Sequence, residues 1–239
     1  MNPVEKRILK VFTLLGALLL APTAWAGCEY KTIPNPHPDG IAKSYCDRPI
    51  SKVMGWQGAP WLERPQRIEE ERTDLLIKQL ELKPGMVVGD IGAGTGHISR
   101  MMAEKISPNG TVWAVDIQPE MIKLLRKKAE SLPKGRMEIR QSQATSLNLP
   151  DRVLDIAVMV DVYHELEYPR ETLQSLMKAV KKGGRIVFVE YRALDPDVPI
   201  KPLHTMSVAQ VQKEAQDLGL KFEKTQLLSW QNMISFINP

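Results

Sequence analysis

The chain is sparing in several features that would point to particular classes of protein. Its basic residues form no cluster interleaved with aromatics, so nucleic acid is not the expected partner. The apolar run from Val11 to Ala21 is shorter than the ~20 residues that a helix needs to cross a bilayer. There are two cysteines in 239 residues, Cys28 and Cys46, so at most one disulfide can form within the chain. No metal site is expected. Residues 27–66 have little periodicity of either kind, although they carry Pro34, Pro36, Pro38, Pro49, Pro60 and Pro65.

The overall composition is that of an ordinary globular protein, and the length suits one α/β domain with an appendage. Lys6, Arg7 and Lys10 precede the apolar run, and Ala24-Trp25-Ala26 follows it as a small-x-small site. Together these read as a secretory signal peptide cut before Gly27, which predicts an exported, periplasmic protein. Two alternatives stay open: an uncleaved anchor facing the cytosol, with membrane association through the N-terminus, or a lipoprotein acylated at Cys28. Loss of residues 1–26 lowers the formal net charge from +4 to +2. In an oxidising compartment Cys28 and Cys46 could pair.

The centre of the chain is Val87-Val88-Gly89-Asp90-Ile91-Gly92-Ala93-Gly94-Thr95-Gly96. An apolar strand ends in an acid, glycines follow at alternate positions, and a helical pattern begins at His97. In α/β folds this arrangement binds a nucleotide-like ligand at the strand's carboxyl end. The dinucleotide motif G-x-G-x-x-G would need a third glycine where His97 stands.

The pattern acid-x-G-x-G-x-G resembles the first motif of class I S-adenosylmethionine-dependent methyltransferases. The resemblance spans about residues 67–239 and predicts a Rossmann-like, doubly wound α/β sheet, mostly parallel with an antiparallel last strand. It implies S-adenosyl-L-methionine as cofactor, held by Asp90, Gly92, Ala93, Gly94 and Gly96. Thr111 to Asp116 reads as a second strand ending in an acid, and Asp116 would take the two ribose hydroxyls. Ile117 and Gln118 would follow at the adenine. Gln143 and Ala144 stand where the family often has an acidic and a small residue. Leu154 to Val160, apolar enough for burial on both faces, leads into Asp161-Val162-Tyr163-His164-Glu165, similar to the family's fourth motif, where the chain passes the methyl group. This run and Lys181-Lys182-Gly183-Gly184 look most like the branch of quinone-biosynthetic C-methyltransferases.

Methyl transfer from a sulfonium needs chiefly positioning and desolvation, with a base only if the nucleophile arrives protonated. Asp161, His164 and Glu190 are the candidate catalytic groups, and Asp161 also belongs to the cofactor set. Asp161 and Tyr163 have a better claim than His164 to point into the site. Ile68, Leu75, Leu76 and Leu80 predict one amphipathic helix from Pro65, with the charges between Glu63 and Arg72 on a solvated face. Ser207 and Gln210 form a capping box, and 222–228 with 232–237 a closing antiparallel pair.

Three segments should converge on the acceptor: 56–67, 161–165 and 190–204. Trp56 and Trp61 supply flat apolar surface; Arg67, Tyr163, Arg192 and His204 complete the expected substrate set. The acceptor is then a small, planar or lipid-like molecule with an acidic or phenolic group. The expected organisation is a signal peptide or anchor over 1–26, a proline-rich extension or lid over 27–66, and the main domain over 67–239. A different reading keeps the fold without the chemistry, as an exported ligand-binding module. S-adenosylmethionine is made in the cytosol, so an exported enzyme must obtain it elsewhere, a tether must leave the domain inside, or the ligand is something else.

Overall fold

The computed structural model describes residues 27–133 and 136–239. The proposed signal peptide lies outside the described residues. In chain order the strands are β1 (Tyr30–Thr32), β2 (Gly40–Tyr45), β3 (Arg48–Ser51), β4 (Val87–Ile91), β5 (Thr111–Asp116), β6 (Met137–Gln141), β7 (Leu154–Val160), β8 (Val180–Tyr191), β9 (Lys221–Leu227) and β10 (Gln231–Ile237). The helices are α1 (Ala59–Leu62), α2 (Arg67–Glu71), α3 (Thr73–Gln79), α4 (His97–Lys105), α5 (Pro119–Ala129), α6 (Pro169–Ala179) and α7 (Val208–Asp217). Among the described residues no helix is long and apolar enough to cross a membrane.

The main sheet has seven strands in the order β6-β5-β4-β7-β8-β10-β9. β4 to β8 run parallel, and β10 lies antiparallel between β8 and β9. Parallel strands need helical crossovers, which bury both faces and explain the near-continuous apolar runs of β4, β7 and β8. Successive residues of a strand serve opposite faces. Ile186, Phe188, Ile234 and Phe236 join one core with Leu173 and Leu176 of α6 and Val211 of α7. Val187, Val189 and Met233 join the other with Leu76 of α3 and Ile98 and Met102 of α4. Each fully buried side chain of this size contributes roughly 1.5–3 kcal/mol.

Local chemistry sets the helix starts. Pro119 and Pro169 occupy first-turn positions of α5 and α6, where a missing N–H costs nothing. The Ser207 hydroxyl accepts from the Gln210 N–H at 3.1 Å and caps α7.

Two expectations are corrected. Residues 30–51 are a folded three-stranded antiparallel sheet, β1-β2-β3, where the proline content had suggested irregular chain. The Cys28–Cys46 disulfide closes it around Tyr45 and Ile50. The single helix expected from Pro65 is two, broken at Arg72 in left-handed backbone (φ 53°), and Ile68 faces solvent.

Candidate active site

The strand ends of β4, β5, β7 and β8 meet a cavity of about 450 Å³ at the carboxyl edge of the sheet. Asp116, at the end of β5, lines it. One carboxylate oxygen accepts the Gly94 N–H and the other the Gln118 N–H, both at 2.9 Å. Burial pushes its carboxyl above the usual range, and these backbone donors pull it back. Each oxygen keeps a lone pair for a ligand hydroxyl. Gly92 and Gly94 also line the cavity, both with positive φ. A Cβ on Gly92 would lie 2.4 Å from Cγ2 of Val162, so the loop after β4 passes the loop after β7 with no room for a side chain.

Ile117, Gln118, Gln143 and Ala144 continue the wall from Asp116, with Ser142, Met121 and Leu147 beside them. The Gln118 side-chain amide donates to the Met54 carbonyl at 3.0 Å, tying the N-terminal extension to this rim. Asp161 turns the chain after β7 in left-handed backbone (φ 55°), a conformation held at a cost by non-glycine residues and common at functional sites. One carboxylate oxygen accepts from the Gln231 amide at 2.7 Å; the other is buried with no partner among the described residues. Burial, then the negative charges of Glu71 and Glu190, push its carboxyl well up.

Behind Asp161 lies an ionic knot. Glu71 accepts from Arg64 at 2.6 Å, from Arg67 at 2.8 Å and from the Tyr191 hydroxyl at 2.9 Å. Arg67 and Tyr191 line the cavity; Glu71 is buried behind them.

At the opposite end, His164 and His204 line the wall with Glu165, Lys201 and Ile200. His164 Nδ1 lies 2.6 Å from Oε2 of Glu190, whose Oε1 accepts the Tyr163 N–H at 2.9 Å. The His164 carbonyl accepts from Arg48 at 3.1 Å and Ser51 at 3.3 Å, so β3 braces this turn. His204 has Nδ1 3.2 Å from Glu165 and Nε2 3.2 Å from Asp39. Glu165, with Asp39 adding to it, pushes the His204 imidazole up, against burial.

Several expected site residues are placed elsewhere. Tyr163 points into the core, fully buried and edge-on to Phe188 at 4.8 Å, and it is His164 that faces the cavity. Glu190 has no exposure and touches the site only through His164. Arg192 pairs with Asp195 at 2.6 Å on a separate surface depression. Trp61 lines the cavity under the Arg64 guanidinium, 3.5 Å from its ring centroid, whereas Trp56 stands exposed outside it. Asp90 is buried beneath the glycine loop and accepts from the Ser99 hydroxyl. Ala93 packs toward α5, and Gly96 starts α4 in left-handed backbone.

Sequence reading missed Glu71 and Asp39, whereas Leu62, Tyr191 and Lys201 lie in the segments expected to converge on the acceptor. The Arg67–Glu71 spacing of four on a helix was the one available signal, and it reads equally as a surface pair. His164 and His204, 40 positions apart, gave no spacing to recognise.

The order of strands, with β10 reversed between β8 and β9, and the paired acids Asp90 and Asp116 at the carboxyl ends of β4 and β5 are those of the class I methyltransferase fold. Residues 89–188 match the family described as a methyltransferase domain. A SAM-dependent methyltransferase from Aquifex aeolicus has the same fold, with a TM-score of 0.74 and 23% identity over 78% of this chain and 100% of that one. Residues 89–188 are thus similar to a methyltransferase domain, and the fold is that of the class I S-adenosylmethionine-dependent methyltransferases. The chain is also similar to the ubiquinone/menaquinone biosynthesis C-methyltransferase UbiE of Ectopseudomonas mendocina, 29% identical over 46% of this chain and 43% of that one. The UbiE of Bordetella avium is 27% identical over 55% of this chain and 52% of that one. The chain thus spans about half the length of these relatives.

The cavity fits the cofactor of the class. It offers two lone-pair-bearing oxygens on Asp116, an unpartnered carboxylate oxygen on Asp161, and apolar wall at Ile117, Met121 and Leu147.

Proposed function

We propose that the protein transfers the methyl group of S-adenosylmethionine to a small acceptor with an apolar body and a phenolic or acidic oxygen. The observation that carries the reading is Asp116, its two oxygens aimed by the Gly94 and Gln118 N–H groups at the rim of a cavity whose far end holds His164 and His204. The bound cofactor supplies a methyl on a positively charged sulfur. Asp116 would hold the ribose hydroxyls, and the unpartnered oxygen of Asp161 would accept from the amino group of the methionine moiety. Arg67, set beside Asp161, suits the methionine carboxylate better than the acceptor. Trp61, Leu62, Met54 and Val53 exclude water from the apolar half. His164, backed by Glu190, faces the acceptor end of the cavity. The similarity to UbiE, a C-methyltransferase of ubiquinone and menaquinone biosynthesis, supports an aromatic acceptor.

Export belongs to the same reading. It is supported by the basic, apolar and small-residue order of residues 1–26 and by the Cys28–Cys46 bond, since disulfides persist in oxidising compartments. A Cys28 sulfur bonded to Cys46 is not available for acylation. A mature N-terminus at Gly27 in the periplasmic fraction is the expected result; an intact Met1 would mean a membrane-tethered protein.

The test of activity is calorimetric titration with S-adenosylhomocysteine. The parent should bind one equivalent, and Asp116→Ala should weaken binding about 100-fold or more, the loss of two charge-assisted hydrogen bonds at roughly 1.5–3 kcal/mol each. No binding by the parent ends the reading. A radiolabelled-methyl screen should favour phenols over aliphatic amines, and the reverse order would overturn the acceptor class.

A further inference from the structure

We propose that His164, Glu165 and His204 form a binding site for a divalent transition-metal ion of the zinc type at the acceptor end of the cavity. Each offers one ligand atom, and the three atoms lie within 4.8 Å of one another. Glu165 Oε1 is 3.2 Å from His204 Nδ1 and 3.8 Å from His164 Nε2. Ligands 2.1 Å from a tetrahedral ion are about 3.4 Å apart, between these two values.

The surroundings of the two imidazoles point the same way. Metal-ligating histidines commonly present their remote nitrogen to a carboxylate, which fixes the ring and raises its basicity. Here both do: His164 Nδ1 faces Glu190 at 2.6 Å, and His204 Nε2 faces Asp39 at 3.2 Å. That arrangement leaves His164 Nε2 and His204 Nδ1 directed at the shared carboxylate. The backbone is braced as well, by Arg48 and Ser51 on the His164 carbonyl and by the Met54 N–H, which donates to Glu165 at 3.0 Å.

Charge supplies a third argument. Asp39, Glu165 and Glu190 bring three carboxylates to two histidines, and Lys201, 3.1 Å from Asp39, offsets one of them. A dication would neutralise the remainder. Two imidazoles and one carboxylate form the ligand set of catalytic zinc sites, which keep a fourth position open. All three ligands line the cavity, so the open position faces it. A phenolic or carboxylic oxygen of the acceptor is the ligand that position would take. This last point rests on the methyltransferase reading; ion binding does not.

The experiment uses the untagged mature chain with its disulfide intact, stripped by a chelator. It is titrated with zinc chloride by calorimetry and with cobalt(II) by visible absorption. One equivalent should bind, and cobalt should develop the intense ligand-field absorption of a four-coordinate site. Glu165→Gln and His204→Ala should each weaken binding at least about 100-fold, and Asp39→Asn about 10- to 100-fold. No uptake of either ion by the parent, or full uptake by both Glu165→Gln and His204→Ala, overturns the site. Titration of every sample with S-adenosylhomocysteine checks its folding and separates the readings. Cofactor binding without metal uptake removes the metal site alone, and metal uptake without cofactor binding removes the methyltransferase reading alone.

Discussion

Replacing Asp90 by Asn should stabilise the protein in a way that depends on pH. Asp90 is 2% exposed beneath the glycine loop. Burial pushes its carboxyl up to about 6 from an ordinary 3.8, against the Ser99 hydrogen bond and the Arg67 guanidinium. An acid raised on folding costs stability where the unfolded chain has released the proton and the folded one has not. That cost is absent below about pH 4, grows between about 4 and 6, and stays at its full value above. Two pKa units correspond to about 3 kcal/mol. Asn cannot ionise, so the variant escapes this penalty whatever constant offset its amide introduces at Ser99. For a chain of this size 1 kcal/mol moves the melting temperature by about 2–4 °C. The melting temperature of Asp90→Asn minus that of the parent should therefore rise by about 6–12 °C between pH 4 and pH 7, measured by scanning calorimetry without ligand. Groups that do not interact with Asp90 are common to both proteins and cancel in the difference; Arg67 and Asp116, which do, leave a smaller residual. Parallel melting curves across that range would refute the reasoning.

Gly92→Ala should cost roughly 2–5 kcal/mol, from a left-handed alanine and a Cβ driven into Val162, and should abolish S-adenosylhomocysteine binding. An unchanged melting temperature would show that the two loops can part. Replacing Cys28 and Cys46 with serine frees a loop spanning 18 positions and should cost about 3 kcal/mol. A melt as stable as the parent's would mean that β1–β3 unfold apart from the rest. Trp61→Ala should raise the acceptor KM at least about tenfold with cofactor affinity unchanged, because the indole lines the cavity, whereas Trp56→Ala should change neither. Equal effects of the two would assign both indoles the same role.

The central sheet was legible because its signals are local and redundant. Val87 to Ile91, Thr111 to Asp116 and Leu154 to Val160 are apolar runs that end in acids or turns, and any sheet that buries both faces demands them. The N-terminal sheet was not legible, for three reasons. Its strands are short and half exposed, Ala42, Cys46 and Asp47 turn in left-handed backbone without glycine, and its core is closed by a disulfide and by docking on the main domain. Tyr163 and His164 exchanged places because a single 3-10 turn carries them, and one turn has no periodicity to show which side chain points inward. Glu71 read as a surface charge, since nothing in a run of alternating acids and bases tells that Arg64, Arg67 and Tyr191 will close over one of them. Asp39 and His204 meet through tertiary docking alone.

The hydrogen bond from Gln231 to Asp161 has a consequence for the order in which the site can exist. β10 follows every other strand in the chain, yet it inserts between β8 and β9 and positions an acid at the end of β7. A growing or translocating polypeptide can assemble the glycine loop, Asp90 and Asp116 long before residue 231 emerges. In that interval Asp161 lacks its amide partner, and the edge of β8 that β10 later covers lies bare. Every residue that lines the cavity precedes β10, so β10 acts on the site only by holding Asp161 and covering the edge of β8. A ligand that needs Asp161 in this position is met by the chain only after it has emerged through β10.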